Sequence, residues 1–94
     1  TINKRLGGNH ATINGLHTLL KNEPKSMAIS IIDLGCGSGD MLRAVADYGR
    51  KNNFTFKLTG IDANEYTVNY ARQLSVDYPE ISYQLITRRS VIQK

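Results

Sequence analysis

The sequence predicts an α/β domain built on a parallel sheet. Three observations carry this: a short, β-branched and almost continuously apolar run at 28–34, two later strand patterns at 54–61 and 81–87, and a helical pattern in each interval between them. Strands joined by helices of this length pair in parallel through right-handed crossovers, and helices are expected on both faces of the sheet. A chain of 94 residues holds one such small domain.

Taken in order, Ile13, Leu16, His17 and Leu20 follow the Gly7-Gly8 break at helical spacing, and Pro24 ends that helix. Residues 1–26 therefore read as a leading helical segment and 27–94 as the sheet domain. The run at 28–34 is the first strand, buried on both faces. Glycines at 35, 37 and 39 punctuate the chain, and helical spacing returns at 40–50 with Leu42, Val45, Ala46 and Gly49 on one side. The second strand, 54–61, runs into Asp62, and Asn64 is a good N-cap for a helix at 65–78. In that helix Tyr66, Tyr70, Leu74 and Tyr78, with Ala71 beside them, are read as the core-facing stripe. Pro79 closes it, and 81–87 is the third strand.

Composition narrows the partners. The formal charge is +4 and the pI about 9.4, but Lys4-Arg5, Lys21 and Lys25, Arg50-Lys51 and Arg88-Arg89 are scattered pairs near element ends. They read as solvated surface and not as a nucleic-acid face. No apolar run is long enough to span a membrane. No secretory signal is read at the start, and the single Cys36 excludes an internal disulfide framework, so a cytoplasmic location is expected.

Ligands of parallel α/β sheets sit beyond the carboxyl ends of the strands, where the two most unusual motifs lie. Asp33-Leu34-Gly35-Cys36-Gly37-Ser38-Gly39-Asp40 joins a strand to a helix through three glycines. Glycine lets the backbone turn sharply and approach a ligand closely, and the helix start offers free N–H groups suited to a carboxylate. Asp62, 23 positions after Gly39, ends the second strand, where a carboxylate is placed to accept from two ribose hydroxyls.

At these residues the chain resembles the class I (Rossmann-like) S-adenosylmethionine-dependent methyltransferases. Asp33-Leu-Gly-Cys-Gly-Ser-Gly39 is similar to their motif I and Asp62 to the acid of motif II, over roughly residues 28–87. The resemblance implies S-adenosylmethionine as cofactor. It places the methionine part on Gly35, Cys36, Gly37 and Gly39, the ammonium group near Asp33, the ribose on Asp62, and the adenine beside Ala63 and Asn64. It also implies the cofactor-binding half of that fold, three strands in the order 3-2-1, ending before the fourth strand that usually carries acceptor-side residues. Catalytic residues are therefore unassigned and the acceptor is open, with a small molecule favoured over RNA or protein. Where the family usually has an acidic residue after its third strand, this chain has Thr87-Arg88-Arg89.

A nicotinamide-binding fingerprint would need glycine or alanine at position 40, where Asp40 stands, and no Gly-Lys-Ser/Thr follows for a P-loop. A cofactor-binding module without turnover is the other class compatible with the motifs. His10 and His17 lack partners at metal-ligand spacing and read as structural, and Cys36 reads as loop packing. With the fourth strand missing, the first strand is expected to be an exposed apolar edge. A homodimer through that edge or through the apolar sheet face is expected in consequence.

Overall fold

The β-branched run is a strand, at the centre of a four-stranded parallel sheet, in the computed structural model, which describes residues 2–6 and 13–87. The elements are β1 (Ile2–Leu6), α1 (Ile13–Leu20), β2 (Ala28–Leu34), α2 (Asp40–Lys51), β3 (Thr55–Asp62), α3 (Glu65–Leu74) and β4 (Ile81–Leu85). The readings of Gly7-Gly8, His10 and Arg88-Arg89 lie outside the described residues.

The sheet runs in chain order, β1-β2-β3-β4. This corrects two expectations. The three expected strands become four, and the leading segment, read as helical, supplies a strand as well as α1. Ile2–Leu6 pairs in parallel with β2, from Ile2 opposite Ile29 to Leu6 opposite Asp33. The edge of β2 is therefore hydrogen-bonded and not exposed, because a free row of N–H and C=O groups is satisfied by the nearest extended segment.

The helices lie on one face, not two. Every crossover steps one strand in the same direction, and right-handed crossovers that all step one way leave their helices on a single side. Ile29, Ile31 and Asp33 of β2, Phe56 and Leu58 of β3, and Ile81 and Tyr83 of β4 are accordingly buried. On the other face of β2, Ile32 and Leu34 remain 39% and 40% exposed, so this strand is not buried on both sides.

The core joins Leu16 and Leu20 of α1, Leu42, Val45 and Ala46 of α2, and Val68 and Ala71 of α3 to that face of the sheet. Each fully buried leucine or isoleucine contributes roughly 1.5 to 3 kcal/mol. Phe54 stacks between Tyr48 and Phe56, with ring centroids 6.2 and 5.5 Å apart. Arg50, exposed as expected of a surface residue, also forms a two-pronged ion pair with Glu80 at 2.8 Å and lies over the Tyr78 ring, joining the end of α2 to the turn before β4. That bond holds the Glu80 carboxyl below its ordinary range.

The tyrosine stripe of α3 is also corrected. The helix ends at Leu74 and buries Val68 and Ala71, while Tyr66 is 80% exposed and stacks on Tyr70 with centroids 6.5 Å apart. A helix turns about 100° per residue, so Val68, two residues on from Tyr66, lies about 200° round and roughly opposite it. Asn64 does cap the helix, accepting from the Thr67 N–H at 2.9 Å. Among the described residues no helix is long and apolar enough to cross a membrane.

Gly49 sets the distance between α2 and β3, because a Cβ there would overlap the buried Phe56 ring. Overpacking costs about 1 to 3 kcal/mol, against which alanine returns roughly 0.5 to 1 kcal/mol of helix preference. Gly49→Ala is therefore expected to lower the melting temperature by several degrees, at about 4 to 8 °C per kcal/mol. A raised melting temperature in a calorimetric scan would show that the ring moves aside freely.

Candidate active site

Parallel pairing of β2 with β3 sets Asp33 beside Gly60 and Leu34 beside Ile61, so the two motif-bearing strand ends finish side by side. The loop leaving β2 is then fastened to β3. The Ile61 carbonyl accepts from the N–H groups of Gly35 at 2.7 Å and Cys36 at 3.2 Å. Asp62 continues the attachment, one carboxylate oxygen accepting from the Gly37 N–H and the other from the Asn64 N–H, each at 3.0 Å.

Gly35, Gly37 and Gly39 all have positive φ, at 71°, 57° and 87°, which residues with a Cβ rarely adopt. What surrounds them differs. A Cβ on Gly35 or Gly37 would meet nothing within 4 Å, so these two positions face open space. A Cβ on Gly39 would run into the Tyr83 hydroxyl. Gly39 is thus kept small by the protein itself, whereas Gly35 and Gly37 present bare backbone outward.

The side chains around the loop divide by environment. Asp33 is only 6% exposed, and burial raises its carboxyl above the ordinary range. Cys36 points into the core against Gly60, and its thiol is pushed up to about 11 by burial and then by Asp62 and Asp33. A buried thiol held protonated is packing and not a nucleophile. Ala63 is exposed just beyond β3. α2 begins at Asp40 without a side-chain cap, so its first N–H groups have no partner within the helix.

The loop, Asp33, Asp62 and Ala63 are therefore brought together, as their positions at two adjacent strand ends require. His17 stands apart from them. It pairs with the Tyr48 hydroxyl at 3.0 Å where α1 meets α2. Sequence reasoning missed a polar cluster behind the loop. Arg43 donates to the Ser38 carbonyl at 2.8 Å and to the Ser75 hydroxyl at 3.1 Å, and Ser75 shares a hydrogen bond of 2.8 Å with Tyr83. Its one local signal was the Asp40–Arg43 pair at helical i,i+3 spacing, an ion pair here.

A family model described as a methyltransferase domain matches residues 25–82. The 24-methylenesterol C-methyltransferase 2 of Arabidopsis thaliana is 48% identical over 42 residues, covering 45% of this chain and 10% of that protein. The crystal structure of WbdD superposes with a TM-score of 0.56 at 22% identity, over 84% of this chain and 16% of that one, a likeness of fold. The chain thus spans about a tenth of the curated relative it matches.

The raised carboxyl of Asp33 makes a testable claim. A group that binds its proton more tightly folded than unfolded adds stability at low pH and loses it as pH rises through the folded value. Asp33→Asn is therefore expected to melt above the native protein at neutral pH, with the gap closing as pH falls through the raised folded value towards the ordinary carboxyl range. Melting curves across pH check this, and a gap that widens on acidification would contradict it.

Proposed function

The chain belongs to the methyltransferase domain family, and from that premise we propose that its glycine loop binds S-adenosylmethionine for transfer of the methyl group to an acceptor. The observation that carries the reading is the pair of outward, left-handed glycines at 35 and 37 facing open space between two strand-end carboxylates. That cradle admits a ligand where any other residue would fill it. When bound, S-adenosylmethionine supplies an already activated sulfonium methyl group for in-line displacement, so the protein's task is mainly proximity and orientation.

Each residue's role follows from its chemistry. Asp33, buried and desolvated, suits the ammonium group, whose positive charge would bring its carboxyl back down. The first N–H groups of α2 suit the ligand carboxylate. Gly35 and Gly37 admit the methionine chain, with Cys36 contributing backbone only. Asp62 accepts from the ribose hydroxyls, and Ala63 borders the adenine. We take a small molecule as the acceptor class; the Arabidopsis relative is named for a sterol. The open sheet face with Ile32 and Leu34 is the proposed contact for a homodimer, since β1 already occupies the edge of β2.

Calorimetry with S-adenosylmethionine, its demethylated product and NAD is expected to show tighter binding of the S-adenosyl ligands. Tighter binding of NAD would reverse the assignment. Asp62→Ala removes acceptor bonds to a charged group worth about 1.5 to 3 kcal/mol each before water compensates. Affinity for the demethylated product is expected to fall at least ~10-fold, at about 1.4 kcal/mol per decade. Unchanged affinity in a folded variant would leave Asp62 only its structural bonds to Gly37 and Asn64.

A further inference from the structure

The polar cluster behind the glycine loop has no place in the roles given so far, and it is too desolvated to be idle surface. Arg43 sits one turn into α2 with its side chain only 15% exposed. Its guanidinium touches three separate parts of the chain. One nitrogen donates to the Ser38 carbonyl inside the loop and to the Ser75 hydroxyl just after α3, and the other pairs with Asp40 at the start of α2. Ser75 is buried and passes the connection to the Tyr83 hydroxyl on β4, the same oxygen that stands where a Cβ of Gly39 would be.

We propose that Arg43 is a positioning residue, which with Ser75 and Tyr83 holds the Ser38-Gly39 turn in the shape that opens Gly35 and Gly37 to the cofactor. The inference rests on the reading of this loop as the cofactor site. Two physical points carry it. The loop owes its shape to three left-handed residues, and glycine has the most alternative backbone states to lose, so something must hold it in one of them. Bonds from Ile61 and Asp62 hold the first half of the loop, at Gly35, Cys36 and Gly37. The second half is held by one backbone bond, from the Gly39 N–H to the Cys36 carbonyl at 3.1 Å, together with Arg43 and the fit of Gly39 against Tyr83. A planar guanidinium holds the carbonyl, the hydroxyl and the carboxylate in fixed directions from two nitrogens, whereas a lysine offers a compact, rotatable point charge. The pair with Asp40 also sets a cation beside the carboxylate that opens α2, easing approach of an anionic ligand group to the same helix start.

The test compares the native protein with Arg43→Met, Ser75→Ala and, as a control, Arg72→Met. Arg72 donates to the Tyr83 carbonyl at 3.0 Å and does not touch the loop. Amide hydrogen exchange is measured without ligand, and affinity for the demethylated cofactor by calorimetry. Arg43→Met is expected to speed exchange at Gly39, whose N–H donates to the Cys36 carbonyl, and to weaken binding, each at least ~10-fold for loss of bonds from a charged donor. Exchange within β2 and β3 should stay unchanged. Ser75→Ala should give a smaller effect of the same pattern, and Arg72→Met none at the loop. Loop exchange unaltered in Arg43→Met, or accelerated equally throughout the sheet, would overturn the proposal. If the native protein binds no S-adenosyl ligand, the cofactor reading fails, while the exchange comparison still decides whether Arg43 shapes the loop.

Discussion

The site depends on how the end of β2 is tied to the end of β3. Two N–H groups converge on the Ile61 carbonyl and a third on Asp62, so the loop that leaves one strand is fastened to the last residues of its neighbour. Those bonds satisfy backbone donors that a left-handed turn removes from any regular ladder. They also fix what remains available. The N–H groups of Gly35, Cys36 and Gly37 are spent on structure, so the proposed ligand carboxylate is assigned to the first turn of α2 and not to those amides. The glycines contribute space and approach, and the helix contributes donors.

Winding in a single direction has its own consequence. Helices gathered on one face give β2, β3 and β4 a dry side, on which Asp33 is carried into the desolvated interior. The opposite side keeps Ile32 and Leu34 half in water. One topological choice thus yields both a buried carboxylate suited to a cationic ligand and an apolar surface on the far side of the same strand.

What could be read from the sequence was local. The run at 28–34, the three alternate glycines, the Asn64 cap and Asp62 at a strand end each announce themselves within a few residues, and the structure sets them as neighbours. What escaped was non-local. Ile2–Leu6 carries two adjacent charged residues and no strand pattern, and it becomes a strand by pairing with the free edge of β2. The tyrosines of α3 follow a four-residue step that drifts off any one face, while the small residues Val68 and Ala71 seat the helix. Ser75 and Tyr83 meet Arg43 only through the fold, with Ser75 lying 32 positions away in the chain.

Asp62 is both part of the scaffold and the proposed ribose acceptor. Its two oxygens already accept from the Gly37 and Asn64 N–H groups. An ionised carboxylate, however, offers about four lone-pair sites, so two more donors can be accommodated without releasing the first two. The carboxylate that fixes the loop therefore keeps acceptor capacity for the proposed ribose diol. The scaffold bonds also hold both oxygens in place before any ligand arrives. Ordering that precedes binding does not have to be supplied by the ligand.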